Sequence, residues 1–134
     1  MSDAPSLEAV EHAAEAALDK KAADLVLLDL RPLVSFTNYF LFCTGESSRQ
    51  VQAISNSIEE QLARRGLRPA HLEGYENAEW VLLDYVDFVV HIFSPQARAY
   101  YDLERLWRRA ARLPVPEEGR PAARVRAGSA PARD

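Results

Sequence analysis

Apolar residues along this chain follow two rhythms, one recurring every third or fourth position and one in short unbroken runs, and the switches between them mark the predicted elements. From about Leu7 to Lys21 the spacing of Leu7, Val10, Ala14, Ala17 and Leu18 predicts an amphipathic helix. Ser6 stands where an N-cap belongs, with Glu8 and Glu11 near the positive start of the helix dipole and Lys20 and Lys21 near its negative end. Asp24 to Arg31 sets Leu25 and Leu27 against Val26 and Leu28, a strand buried on both faces that stops at Arg31-Pro32. Asn38 to Thr44, aromatic and continuously apolar, is a second interior strand.

Ser47 and Gln50 then form a capping box ahead of a helix whose buried stripe is Val51, Ile54, Ile58 and Leu62, and Gly66 sits at the left-handed C-terminal cap. A short edge strand fits between Leu67 and Gly74. Glu79–Asp84 and Phe88–Phe93 are two further strands, and the brevity of Tyr85-Val86-Asp87 between them demands an antiparallel hairpin. Ser94-Pro95 opens a last helix expected to continue to Leu113 along Ala97, Tyr100, Leu103, Trp107 and Ala110. From Pro114 the chain turns to Pro, Ala, Gly and Arg without apolar periodicity, a composition expected to stay disordered. The order α-β-β-α-(β)-β-β-α predicts an α/β domain over residues 1–113, a mixed β-sheet flanked by helices, followed by a tail over 114–134.

Composition narrows the function classes. With 134 residues and 48% hydrophobic positions, one domain can bury a core without a disulfide or metal staple. No run of about 18 apolar residues is present, so no membrane association is expected. The N-terminus carries acids where a secretory signal would carry bases, and Cys43 is the sole cysteine, so the expectation is a cytoplasmic protein. The formal net charge of −4 is local: the 29 residues from Pro69 to Ala97 hold no Lys or Arg but contain Glu73, Glu76, Glu79, Asp84 and Asp87. Such a segment is either a solvated face or a docking surface for a basic partner.

Catalytic chemistry is hard to assemble. Asp84, Asp87 and His91 lie close in sequence, but their spacing suits a helix face and the local pattern is strand and turn; His91 reads as a structural histidine. Cys43 lies in an apolar strand and reads as a small buried hydrophobe. Gly45 to Arg49 at a helix start resembles a phosphate cradle only weakly. No enzyme activity, metal or cofactor is expected. The aromatics say more: Trp80, Tyr85, Tyr100, Tyr101 and Trp107 gather on the hairpin and last helix beside the acidic segment, and Trp and Tyr are the residues that anchor interfaces.

Four motifs in order carry a family resemblance: Ser35-Phe36-Thr37-Asn38-Tyr39-Phe40; Thr44-Gly45-x-Ser47-x-Arg49-Gln50-Val51; Trp80-x-Leu82-x-Asp84-Tyr85-x-Asp87-x-x-Val90-His91-x-Phe93; and Tyr101-x-Leu103-Glu104-x-Leu106-Trp107. Together, over roughly Leu7 to Leu113, they resemble the ribosomal silencing factor (Iojap-like) family. The family typically has Asp where this chain has Asn38. The resemblance implies a nucleotidyltransferase-like fold without the catalytic carboxylates. It also implies a translational repressor that binds the large ribosomal subunit at its intersubunit face, through the fourteenth large-subunit ribosomal protein, and blocks subunit joining. It implies a homodimer off the ribosome. Trp80, Asp84, Tyr85, Asp87, Tyr100, Tyr101 and Glu104 are the expected docking residues, and the tail arginines Arg120, Arg124, Arg126 and Arg133 offer a peripheral contact to rRNA. A large-subunit assembly factor using the same surface, or a nucleotidyltransferase-like enzyme, are the alternatives.

Overall fold

Strands that are apolar along nearly their whole length belong in the middle of a sheet, and the two most apolar runs of this chain lie side by side there. The structure, a computed structural model, describes residues 4–116. In chain order it contains α1 (Ala4–Leu18), β1 (Ala23–Asp29), β2 (Tyr39–Thr44), α2 (Ser48–Ala63), β3 (His71–Glu73), β4 (Trp80–Asp84), β5 (Phe88–Phe93), α3 (Pro95–Tyr101), the single turn α4 (Leu103–Leu106) and β6 (Ala111–Leu113). The strands form one mixed sheet in the order β3-β4-β5-β2-β1-β6. β2 and β5, buried along their whole length, run parallel from Tyr39 opposite Phe88 to Thr44 opposite Phe93, and the other neighbours are antiparallel.

Alternation along the strands divides the core in two. One face presents Leu27, Leu41, Cys43, Leu83, Val90 and Ile92 to α1 and α2. Those two helices approach closely because α1 offers alanines, Ala9, Ala13, Ala16 and Ala17, and because the Ser57 hydroxyl donates to the Ala16 carbonyl at 2.8 Å. The opposite face presents Leu28, Phe40, Phe42, Val89 and Phe93, covered by α3, α4 and Trp107. That second cover is short, and β4 is left partly open on this side, where Trp80, Leu82 and Asp84 are only half-buried.

The α2 start follows the predicted box with one displacement. The Gln50 amide N–H donates to Ser47 Oγ at 3.1 Å, but Gln50 Oε1 accepts from the Glu46 amide, not from that of Ser47. Gln50 Nε2 also donates to the Lys20 and Lys21 carbonyls. It thereby ties α2 to the chain leaving α1, which turns at Lys21 with φ 65° and ends the helix at Leu18. Ser6 lies inside α1 and is not its cap.

The largest departure is at the C-terminal end. The expected helix to Leu113 stops at Tyr101, because Asp102 adopts a left-handed conformation, φ 50° and ψ 47°. The reversal lets Arg98 reach Glu104 at 3.0 Å and swings Trp107 onto the Phe40 ring, 5.7 Å away and nearly perpendicular. Residues 111–113 then pair with the otherwise free edge of β1, satisfying donors and acceptors that a continuous helix would leave exposed. Val115 packs against the core, so the folded part passes beyond residue 113. Of the tail expected to be disordered from Pro114, residues 117–134, with the tail arginines, lie outside the described residues.

Candidate docking surface

The hairpin β4–β5 places alternate residues on opposite sides, and this decides which of the expected docking residues are brought together. Trp80, Leu82 and Asp84 of β4 lie opposite Phe93, His91 and Val89 of β5, all on the face away from α1 and α2. The Trp80 ring contacts Phe93 at 5.3 Å and Tyr101 at 4.7 Å between centroids. Tyr101 in turn meets Tyr100 edge-on at 5.0 Å, and Tyr100 is 81% exposed. Glu79, Gln96, Ala97, Tyr100 and Tyr101 line a shallow cavity of about 380 Å³ at this end of the strip. The result is a half-open aromatic surface bordered by carboxylates at Glu79, Asp84 and Asp87.

Two of the expected residues do not join it. Tyr85 points to the helical face, only 9% exposed and stacked on Phe88 at 4.9 Å. Its hydroxyl has no hydrogen-bond partner among the described residues, and burial, with the Glu59 carboxylate nearby, pushes its pKa well up. An odd position next to Asp84 must face the other way in a strand, so Tyr85 supports the hairpin from behind. Glu104 is committed elsewhere: its carboxylate holds Arg98 and lies 3.7 Å from Arg112, and the Arg98 hydrogen bond lowers its pKa. Arg98 also donates to Thr44 Oγ1 and to the Asp24 carbonyl, which makes this ion pair a clamp between α3 and the sheet.

His91 sits under the strip. It is 3% exposed, and its Nδ1 accepts a hydrogen bond from the Trp80 indole Nε1–H at 3.1 Å. A neutral ring that accepts at Nδ1 carries its proton on Nε2, and that atom has no partner among the described residues. Phe40 and Phe42 lie 4.6 and 5.1 Å from the ring, and desolvation among them lowers the His91 pKa to about 3. His91 is therefore the structural histidine that the strand pattern predicts, with the added task of fixing the plane of Trp80. Among the described residues no three His, Cys, Asp or Glu side chains come together to hold a metal. Cys43 is fully buried, with its pKa pushed up to about 12 by desolvation. No helix among the described residues is long and apolar enough to cross a membrane.

Two residues that sequence reasoning missed belong to the surface. Leu82 shares the Trp80–Asp84 face, a placement that the two-residue period already contains. Val86 stands at the hairpin tip, 59% exposed, with φ 75°. The Asp87 amide donates to the Tyr85 carbonyl across it, and the Val86 amide donates to Asp84 Oδ1. A β-branched residue at positive φ in so tight a turn is strained. Nothing in the bare sequence announces it.

Comparison with known proteins places this geometry. A family model described as "Ribosomal silencing factor during starvation" matches residues 3–134. The ribosomal silencing factor RsfS of Bacillus subtilis is 44% identical over 95 residues, covering 71% of this chain and 80% of that protein. The chloroplastic protein Iojap of Zea mays is 37% identical over 114 residues, 85% of this chain and 50% of that one. A crystal structure of a Chromobacterium violaceum protein superposes with a TM-score of 0.75 at 37% identity, covering 92% of this chain and 98% of that one.

Proposed function

The chain belongs to the ribosomal silencing factor family, a family of non-enzymatic factors, and on that premise we propose that it represses translation by occupying the intersubunit face of the large ribosomal subunit. The partner is the fourteenth large-subunit ribosomal protein, and the effect is steric: a bound copy prevents the small subunit from joining. A nucleotidyltransferase-like topology without catalytic carboxylates is part of this reading, supported by the mixed sheet around its parallel β2–β5 pair.

One observation carries the proposal. The aromatic strip of Trp80, Tyr100 and Tyr101, with Leu82 beside it, opens on the side of the sheet bordered by Glu73, Glu79, Asp84 and Asp87, within a segment, residues 69–97, that holds no Lys or Arg. An apolar centre with an acidic rim complements a basic protein: the rim steers encounter and fixes orientation, while the rings supply desolvated contact. The same centre is a surface on which two free copies can pair, as the homodimer off the ribosome requires. Tyr85 and Glu104 act here by holding the hairpin and α3 in place.

Pull-down of purified large subunits by wild type and by an Asp84→Lys/Asp87→Lys variant tests the assignment. Charge reversal beside a basic partner is expected to cost on the order of several kcal/mol, abolishing capture at micromolar concentrations. Asp84→Lys also removes the acceptor of the Val86 amide in the strained turn, so Asp87→Lys alone, which keeps that bond, and a thermal melt of both variants separate loss of docking from loss of the turn. Equal capture of wild type and the double variant would contradict the placement.

A further inference from the structure

Charge in this fold is not merely acidic on one side; it is separated along the sheet. The acidic segment builds β3, β4 and β5, one end of the strand order. At the opposite edge, α4, the turn after it and β6 carry Arg105, Arg108, Arg109 and Arg112, all exposed, and no acidic residue occurs from Arg105 to Pro116. The acids nearest this group are Asp102 and Glu104 before it in the chain, Asp29 across the sheet, and Glu117 and Glu118 after it, outside the described residues. Glu104 is held by Arg98 and Arg112, and Asp29 by Arg31 at 2.7 Å. Asp102 is exposed at the left-handed turn before α4.

Six strands at about 4.8 Å spacing put the two edges roughly 24 Å apart. That is about three Debye lengths at physiological salt, so neither patch neutralises the other and each meets its own partner. The basic edge also has an aromatic component. Phe36, 62% exposed, packs edge-on against Trp107 at 6.4 Å, and Leu106 beside it is 71% exposed. Guanidinium groups that fork onto phosphate oxygens, next to an exposed ring on which a base can stack, are the chemistry of RNA contact.

We propose that Arg105, Arg108 and Arg109, with Phe36 at their border, bind the sugar–phosphate backbone of rRNA while the acidic edge holds the basic ribosomal protein. This inference rests on the ribosome-docking reading and adds a second anchor to it, one that fixes the rotation of the domain about the protein contact. The net negative charge of the chain conceals this anchor, because the excess of acids lies at the other end of the sheet.

The test is an Arg105→Gln/Arg108→Gln/Arg109→Gln variant, which leaves the Arg98–Glu104–Arg112 group intact. Its affinity for purified large subunits is measured against salt between about 50 and about 200 mM, beside its affinity for the isolated fourteenth large-subunit protein. The variant is expected to bind large subunits about tenfold or more weakly at the low-salt end, with the slope of log K against log salt reduced by about two, and to bind the isolated protein as wild type does. An unchanged slope overturns the proposal. So does equal weakening toward the isolated protein, which would seat the arginines on an acidic protein surface. Failure of wild type itself to bind large subunits would remove the docking reading along with it, a result distinct from either of these.

Discussion

Between pH 7.5 and pH 5 the folded protein is expected to lose about 2 kcal/mol of unfolding free energy to a single residue, His91. The sign follows from burial. Desolvation lowers the folded-state pKa of His91 to about 3, whereas in the unfolded chain the ring titrates near the ordinary value of about 6.5. Over the interval between those values the unfolded state binds a proton that the folded state refuses, so stability falls as pH falls through it. At about 1.4 kcal/mol per pH unit, pH 5 lies about one and a half units into the loss. The carboxylates whose pKa values are lowered in the fold, Asp29 and Glu104, add their losses at more acidic pH, below the ordinary carboxylate range. Burial raises the Glu59 pKa, which acts in the opposite direction. Denaturant unfolding of wild type and His91→Asn at both pH values measures the effect. Asn keeps an acceptor near the Nδ1 position but carries no titratable proton, so about 2 kcal/mol of the wild-type pH dependence should disappear. A His91 ring that titrates near pH 6.5 in the folded protein, followed by NMR, would contradict the assignment.

Removal of the Trp80 side chain is the second large effect. Trp80→Ala is expected to weaken binding to the large subunit by at least 2 kcal/mol, about thirtyfold. The indole is presented by three contacts at once: the hydrogen bond to His91, the Phe93 ring beneath it and the Tyr101 ring beside it. Such a preorganised aromatic loses little conformational entropy on docking, which is what makes an interface anchor effective. Because the alanine variant also uncovers His91, Trp80→Phe serves as a second variant that keeps a ring on Phe93; it too should bind more weakly than wild type. Tyr85→Phe provides the contrast. It deletes a hydroxyl with no partner on the helical face and should leave affinity unchanged. Near-wild-type binding by both Trp80 variants would remove the anchor from the account.

How much of this was legible in the sequence depended on whether local chemistry or distant pairing decided the outcome. Ser47, Gln50 and Gly66 announced α2 because caps act on their immediate neighbours. The apolar runs of β2 and β5, the second interrupted by His91 alone, announced central strands. The segment after Tyr101 reads as helix in the sequence because its apolar spacing continues a helical rhythm. Its fate is set by the left-handed turn at Asp102, the Arg98–Glu104 clamp and the vacant edge of β1, and two of those three involve groups distant in the chain. At the docking surface, composition singled out Trp80, Asp84, Asp87, Tyr100 and Tyr101, which the structure places on or beside one strip. Tyr85, from the same composition, and Glu104, which enters with the family motif, face elsewhere in the structure, since residue type marks a candidate while strand parity and ion pairing decide which way it faces.

On the proposed function, a bound copy excludes the small subunit. Wild-type protein added to separated ribosomal subunits before they are allowed to join, followed by sedimentation, tests it directly. Joined ribosomes are expected to fall in step with the amount of protein bound, with the protein found on free large subunits and absent from joined ones, and Asp84→Lys/Asp87→Lys is expected to have little effect. Full joining with the protein still seated on the large subunit would contradict it and point to a role in subunit assembly.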